Sequence, residues 1–230
     1  MKVLKKVLIV VLSVILVAVT GIFALWHNEI ATVASITTII DQDLSHDDGY
    51  TYEMNVSGDY YFDDFLKQGG VSSDEELIQF ITGNITKGVI PMTIQTKEIA
   101  CSSFTAWTED QQFVFGRNYD FDETNTAIVH TNPKGRHASV STIDLQFLGI
   151  DEKNGITGIK EKALLLAAPY IPLDGINDAG VACGIYMTYQ GDPTIPTNQN
   201  TEKPDITSTT LLRLILDYAD NVEEAIELAS

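Results

Sequence analysis

Residues 101–122 predict an antiparallel hairpin that brings three chemically distinct side chains to one end. A strand of mixed small, polar and apolar residues runs from Cys101 to Trp107, a cluster of turn residues follows, and a second β-rich segment comes next. Because the end of the second strand returns beside the start of the first, we expect the thiol of Cys101 to lie close to Arg117 and Asp120. This corner constrains the fold most, because the other segments of the chain must either hold the hairpin in place or pack over it.

A thiol, a guanidinium and a carboxylate in one place suit nucleophilic catalysis. A free thiol is mostly protonated at neutral pH, and a nearby cation such as Arg117 favours the reactive thiolate. A cysteine at the N-terminus of a chain also has its own base, because an α-amine with a pKa of about 7.7–8.0 can accept the thiol proton. Cys101 is internal, so this mechanism requires cleavage between Ala100 and Cys101.

Two patches of the sequence carry a family resemblance. Residues 101–104, CSSF, and residues 115–121, FGRNYDF, look like the opening of the choloylglycine hydrolase family, which includes bile salt hydrolases, penicillin V acylases and acid ceramidase relatives. Residues 174–181, DGINDAGV, resemble the family's Asp-Gly-Met-Asn-Glu-Lys-Gly-Leu hairpin. The resemblance covers residues 101–230 and implies an N-terminal-nucleophile (Ntn) hydrolase with an αββα sandwich.

The resemblance also implies a role for each residue of the corner. Cys101 would be the nucleophile after removal of the preceding residues, Arg117 would lie beside its thiol, and Asp120 would hold its α-amine. The reaction would be hydrolysis of a linear amide, with the acyl group carried as a thioester. The resemblance also implies residues that would face the oxyanion of the reaction. The matching positions here are Asn177, Tyr186 and Met187.

Each of these residues also has a simpler interpretation. Cys101 and Cys183 are the only two cysteines, and an exported pair often forms a disulfide. Against this, Cys183 lies in an apolar strand and resembles a small core residue. Arg117 could be a surface charge, and Asn177 could serve only the turn in Asn-Asp-Ala-Gly.

The first 26 residues are predicted to be a membrane anchor. Three lysines precede an uncharged apolar run, and the contact with the bilayer is assigned to residues 7–26. About 20 apolar residues are enough to span a bilayer, and this run is longer than the apolar part of an ordinary signal peptide. The lysines favour a cytoplasmic N-terminus, which places the rest of the chain outside the cytoplasm. A cleaved signal, with a weak site at residues 32–34, and a buried core helix are the alternatives.

The charge of the chain limits its partners. The formal net charge is −18, and such an acidic surface disfavours nucleic acid and anionic membrane surfaces. The four histidines have no ligand spacing to the cysteines, so we expect no metal site. The expected partner is a small acyl amide, with no cofactor.

The segment between the anchor and the hairpin divides into two parts. Residues 27–58 are linker-like in composition. Residues 59–100 are expected to form a helical pro-segment, with one helix over 60–67 and a second that Ser72 or Ser73 caps. In acid ceramidase a comparable segment stays bound after cleavage, and the resemblance implies the same role here. A stalk and cap without processing is the alternative.

The expected fold class is α+β, and the sandwich is expected to be incomplete. Beyond the hairpin we expect strands over 126–130, 139–145 and 162–168, a hairpin at 174–189, and helices over 207–218 and 222–229. The chain ends at Ser230 inside a predicted helix, and a later Asn and a second Arg of the family have no counterpart. We therefore expect a C-terminally truncated chain that is inactive by itself.

These observations lead to one functional hypothesis and two alternatives. The hypothesis is a cysteine Ntn hydrolase of linear amides that cleaves itself before Cys101. The first alternative is a membrane-anchored binding or cap module without catalysis. The second is an acyltransferase that uses the same nucleophile and passes the acyl group to an amine.

Overall fold

The computed structural model describes residues 2–43, 45, 49–95, 100–120, 124–150, 153–186 and 202–230. These residues form a mixed α+β structure with a six-stranded sheet and a separate two-stranded sheet. The helices are α1 (Lys2–Ser35), α2 (Phe62–Lys67), α3 (Asp74–Asn84), α4 (Ile159–Leu164), α5 (Ser208–Tyr218) and α6 (Val222–Leu228). The strands are β1 (Thr37–Ile40), β2 (Thr51–Asn55), β3 (Ala100–Trp107), β4 (Phe113–Asp120), β5 (Thr126–Thr131), β6 (Ser139–Asp144), β7 (Asp174–Asn177) and β8 (Ala182–Gly184).

Helix α1 has two parts with different surroundings. Trp26 has non-helical backbone angles (φ −123°, ψ 20°), so the helix bends there. The described side chains before Trp26 are exposed although almost all are apolar, whereas Glu29 and Thr32 after it are buried. Val3–Ser35 is long and apolar enough to cross a membrane, a property that signal sequences near an N-terminus share.

The six-stranded sheet includes residues from both sides of Cys101. Its strand order is β1-β2-β5-β6-β7-β8; β2 and β5 are parallel, and the other neighbouring pairs are antiparallel. The segment that we expected to be a linker, 27–58, instead supplies the end of α1 and the strands β1 and β2. Tyr52 and Met54 of β2 are buried at alternate positions. The pairing with β5 gives this short polar segment its strand conformation, so composition alone does not reveal it.

Several locally encoded elements form as predicted. Helix α3 begins after Ser73, whose Oγ accepts a hydrogen bond from the backbone N–H of Glu76 at 3.2 Å. Helix α6 begins after Asn221, whose side chain accepts from the backbone N–H of Glu224 at 2.9 Å. These caps satisfy donors that the first turn of a helix leaves free. The predicted strands β3 to β6 and helices α2 and α5 are also confirmed.

The prediction of a strand over residues 162–168 is wrong. Residues 159–164 form helix α4, and a 3₁₀ helix follows over Leu165–Tyr170. All six residues of that 3₁₀ helix are buried. A short continuous apolar run fits a buried strand and a buried helix equally well, because periodicity appears only where one face is polar.

The hydrophobic core formed by the described residues draws on both sides of Cys101. Phe62 and Phe65 of α2 stack with ring centroids 5.3 Å apart, and Phe80 of α3 meets Phe65 edge-on at 5.3 Å. Tyr170, from the later part of the chain, contacts Phe65 at 5.9 Å. Met54 belongs to the same core. The two parts of the chain are therefore packed as one body.

A buried polar network, here called the junction cluster, also joins the two parts and consists of Tyr60, Arg136, Arg213 and Asp217. The hydroxyl of Tyr60 donates to the carboxylate of Asp217 at 2.6 Å. Arg213 Nε lies 2.9 Å and Arg136 Nη1 lies 3.1 Å from the same carboxylate. Both Arg213 and Asp217 are fully buried. Buried charges are tolerated in a fold only when they are paired in this way.

Candidate active site

The register of the β3–β4 hairpin decides which side chains share a face. Cys101 lies opposite Tyr119, and Ser103 lies opposite Arg117. Opposed residues, and residues two apart on one strand, project to the same face of a sheet. Cys101 and Arg117 therefore lie on one face, as the sequence predicted. Asp120 pairs with Ala100, one position further along, and so projects to the other face.

The guanidinium of Arg117 is the centre of the site. Its Nη2 lies 3.0 Å from Cys101 Sγ and donates to the carbonyl of Ile185 at 2.8 Å. Its Nη1 lies 2.5 Å from Asp174 Oδ2, and only 4% of the Arg117 side chain is exposed. The interpretation of Arg117 as a surface charge is therefore wrong.

Asp174, and not Asp120, is the carboxylate that pairs with Arg117. Asp120 is exposed and accepts a hydrogen bond from Asn118. Asp174 also accepts from Thr142 Oγ1 at 2.5 Å, which fixes the carboxylate from the neighbouring strand. Asp120 therefore does not join Arg117 and the thiol as the hairpin pattern led us to expect, because the register places its side chain on the other face. The signal that points to Asp174 is its place as the first residue of the DGINDAGV patch.

Two tyrosines flank the Arg117 guanidinium. Its central carbon lies 5.5 Å from the ring centroid of Tyr119 and 5.7 Å from that of Tyr186. The hydroxyl of Tyr119 donates to Asp144 at 3.1 Å. Burial, and then the negative charge of Asp144, raises the pKa of Tyr119 above its ordinary value. The phenol of Tyr119 is therefore uncharged at physiological pH. It lines the site without competing with the thiol for the positive charge of Arg117.

The two cysteines are both free, so the disulfide interpretation is not realised. Burial raises the pKa of Cys183 to about 12, which keeps that thiol protonated. Cys101 is half-buried and has a guanidinium within hydrogen-bond distance. Because an adjacent cation favours a thiolate, this geometry suits a nucleophile at Cys101 and an inert thiol at Cys183.

The remaining predicted site residues differ in what surrounds them. The carboxamide of Asn177 donates to the carbonyl of Ala219 at 2.8 Å and accepts from the backbone N–H of Val181 at 2.9 Å. This use of both polar atoms agrees with the turn interpretation of Asn177. Ala100 is the first residue of β3, and Met187 lies outside the described residues.

No metal centre is found in the part of the chain that the structure describes. Within it, His, Cys, Asp and Glu side chains do not form a group of three or more that could hold a metal ion. The site contains a thiol and a paired cation beside β7 and the edge strand β8. Such a site can stabilise a thiolate and, after attack, the negative charge that develops near it.

Comparison with known proteins agrees with this geometry. The model of the family of linear amide C–N hydrolases, choloylglycine hydrolase family, matches residues 101–230. Searches of curated proteins and of solved structures found no match. The family match covers more than half of the chain and begins at the cysteine that contacts Arg117. The chain therefore belongs to the choloylglycine hydrolase family of linear amide C–N hydrolases.

Proposed function

We propose that the chain is a cysteine Ntn hydrolase that removes an acyl group from a small linear amide. The observation that carries the proposal is the 3.0 Å separation of Arg117 Nη2 and Cys101 Sγ. It gains weight from the family match, which starts at that cysteine. In this proposal the mixed sheet and the hairpin supply strands of the family's αββα sandwich.

Activation of the nucleophile would begin with cleavage between Ala100 and Cys101. The new α-amine of Cys101, with an ordinary pKa of about 7.7–8.0, can accept the thiol proton near neutral pH. Asp120 lies opposite Ala100 in the hairpin register, beside the proposed N-terminus, and its carboxylate would hold the protonated amine. Arg117 would stabilise the thiolate while Asp174 holds the guanidinium in place.

Turnover would then proceed in two steps. The Cys101 thiolate attacks the carbonyl carbon of the amide, and the C–N bond breaks as the amine leaves with a proton from the α-ammonium. The resulting thioester is attacked by water, whose proton passes to the α-amine, and the acid and the free thiolate are released. Backbone N–H groups near Tyr186 and Met187 are the proposed donors to the oxyanion. No cofactor takes part in these steps.

The segment before Cys101 is proposed to remain bound after cleavage. Strand β2 lies between β1 and β5, so the six-stranded sheet contains residues from both products. Tyr60 of that segment donates to Asp217, and Asp59 forms an ion pair with Arg136 at 2.6 Å. Separation would expose the buried charges of Arg136 and Asp217 and break one sheet, which supports a two-chain protein held by non-covalent contacts.

The proposed location is the outer side of a cell membrane, with residues 7–26 as a single span. The exposed apolar side chains of the first part of α1 support this assignment, because such a surface is stable in lipid and not in water. The acidic surface fits a small-molecule substrate, without nucleic acid as a partner.

The proposal is tested by intact mass and N-terminal sequencing of the purified protein, together with an assay on a panel of acyl amides. We expect a new chain that begins at Cys101. Cys101→Ala should abolish both cleavage and amide hydrolysis. Cys183→Ala, the matched control, should retain both, because that thiol is not part of the Arg117 site.

Other results would exclude the proposal. If the folded Cys101→Ala variant still hydrolyses amides, Cys101 is not the nucleophile. If the folded wild-type chain stays uncleaved and inactive towards the panel, the chain is a binding module. If it releases acid only slowly but transfers the acyl group to an added amine, it is an acyltransferase.

A further inference from the structure

An apolar cavity lies where helix α1 leaves the body of the protein. Its volume is about 660 Å³, within the range of about 300–1,000 Å³ that is typical of small-molecule sites. Its wall combines both parts of α1 with residues that follow α3 and with α4, and it includes Ile22, Trp26, Ile30, Val89, Ile159 and Leu166. No residue of this wall belongs to the Arg117 site, so the cavity is a separate feature.

The polar side chains in the wall already have partners within the protein. Thr86 Oγ1 donates to a backbone carbonyl at 2.8 Å, and Lys162 Nζ donates to another at 3.0 Å. Glu29 accepts from the hydroxyl of Tyr61 at 3.2 Å. Apart from the indole N–H of Trp26, the other side chains of the wall are hydrocarbon. A ligand with buried polar groups would lose its hydrogen bonds to water there, whereas an aliphatic chain would lose nothing.

The cavity is continuous with the surface that would lie in a bilayer. Ile22 belongs to both the exposed apolar part of α1 and the wall. Trp26 marks the bend, and tryptophan is enriched at membrane–water interfaces. Val89 and Ile159, both in the wall, are 69% and 73% exposed, although such side chains are costly to expose to water. The wall therefore stands at the level where the proposed span leaves the lipid.

We propose that this cavity takes one acyl chain of a bilayer lipid from the adjoining leaflet. The inference rests on the proposed membrane anchoring and adds a specific lipid contact to it. The chain enters beside Trp26 and covers the exposed side chains of Val89 and Ile159. A lipid held in this way seats the body on the membrane surface and fixes the orientation of α1 relative to the sheet.

Photolabelling in vesicles tests the proposal. The full chain is placed in phosphatidylcholine vesicles that carry a diazirine in the middle of one acyl chain, and labelled peptides are mapped after irradiation. We expect labels in residues 3–21, which report anchoring. We also expect labels in residues 86–90 and 159–166, which report occupation of the cavity.

Two matched variants separate the cavity from the span. Ala34 lies in the wall and is exposed, so the larger side chain of Ala34→Leu fills part of the cavity without disturbing the core. We expect it to lose most of the labelling at 86–90 and 159–166 and to keep the labelling at 3–21. Ala18→Leu adds the same volume on the free part of α1 and should change neither.

The remaining outcomes overturn the proposal in distinguishable ways. Labels confined to residues 3–21 would leave the anchor intact and show that the cavity is empty of lipid. Cavity labels that Ala34→Leu does not reduce would show that the lipid lies outside it. Labelling by a photoreactive fatty acid in solution, but not by the vesicle lipid, would exclude the bilayer as the source. No labels at all would refute anchoring together with this inference.

Discussion

Two regions of the molecule combine a buried arginine with a cysteine that its charge reaches, and the two cysteines have different surroundings. At the Arg117 site the guanidinium has one carboxylate partner and directs its Nη2 to the half-buried thiol of Cys101. In the junction cluster Arg213 is fully buried and forms an ion pair with Asp217. Its positive charge lowers the pKa of Cys183, but burial outweighs it and raises that pKa to about 12.

The comparison shows that a nearby arginine does not by itself activate a thiol. A cation favours the thiolate only where the thiol keeps enough contact with solvent, since desolvation disfavours the charged form. The same kind of ion pair therefore suits a reactive thiol at the Arg117 site and stabilises the packing of the two parts of the chain in the junction cluster.

The two thiols are expected to differ strongly in reactivity. Burial raises the pKa of Cys183 to about 12, so almost none of that thiol is ionised at neutral pH, and we expect Cys183 to react with iodoacetamide roughly a hundredfold more slowly than Cys101. Peptide mass analysis of the folded protein over time measures both rates. Equal rates at the two positions would contradict the comparison.

Asp217→Asn tests the junction cluster. The change leaves Arg213 and Arg136 without their shared carboxylate, and breaking such a buried pair costs about 3–5 kcal/mol of unfolding free energy. Urea unfolding in detergent measures the loss. Asp64→Asn is the control, because its ion pair with Lys67 is exposed and contributes about 0–1 kcal/mol. If Asp217→Asn loses as little unfolding free energy as Asp64→Asn, the junction cluster does not stabilise the fold.

Arg117→Gln tests the reactive site. Without the guanidinium the Cys101 thiolate loses its adjacent cation, so alkylation by iodoacetamide at neutral pH should slow by about tenfold. Peptide mass analysis over time measures the rate. Arg136→Gln removes a guanidinium from the junction cluster and should leave the rate of the folded protein unchanged. A wild-type rate in Arg117→Gln would show that Arg117 does not affect the thiol.

Gly184→Ala is a milder test of how tightly Arg117 is held. An added Cβ would lie 3.3 Å from Arg117 Cδ, so the guanidinium must shift by a few tenths of an ångström. We expect alkylation of Cys101 to slow, but less than in Arg117→Gln. Gly83→Ala in α3 meets nothing within 4 Å and should stabilise the protein by roughly 0.5–1 kcal/mol without changing the rate. A rate in Gly184→Ala equal to wild type would indicate that Arg117 has room to move.

A weaker contribution should come from the titration of His137, which adjoins Arg136 of the junction cluster. Its ring nitrogens lie 2.6 Å from Asp178 and 2.8 Å from Asp220. Burial lowers the pKa of His137, but the hydrogen bonds to these carboxylates outweigh it and raise the pKa above its ordinary value. The stabilisation is therefore fully present below about pH 6.5, the ordinary value, and is lost as the pH rises through the raised folded pKa.

Unfolding free energies measured from acidic to alkaline pH check this contribution. We expect a decline above the ordinary histidine pKa in the wild type and a flatter profile in His137→Gln. Identical profiles would show that the two carboxylates hold the ring without titrating with it.

Local patterns in the sequence were enough for the elements that local interactions stabilise. The hairpin register, which brings Arg117 to Cys101, follows from two strands and one turn, and the caps at Ser73 and Asn221 follow from single residues. Residues 162–168 were misassigned because a fully buried apolar run has no polar face to reveal its period. The roles of Cys101, Asp120, Tyr186 and Met187 in catalysis stay predictions.

The apolar helix, the hairpin and the family could be recognised from the amino-acid sequence, because each depends on residues close together in the chain or on a recognisable motif. The partnership of Arg117 with Asp174, 57 positions away, and the pairing of β2 with β5 became visible only in the folded molecule. The burial that raises the pKa of Cys183 belongs to the same group. Long-range ion pairs, sheet order and burial depend on how distant elements pack, and a local pattern does not contain this information.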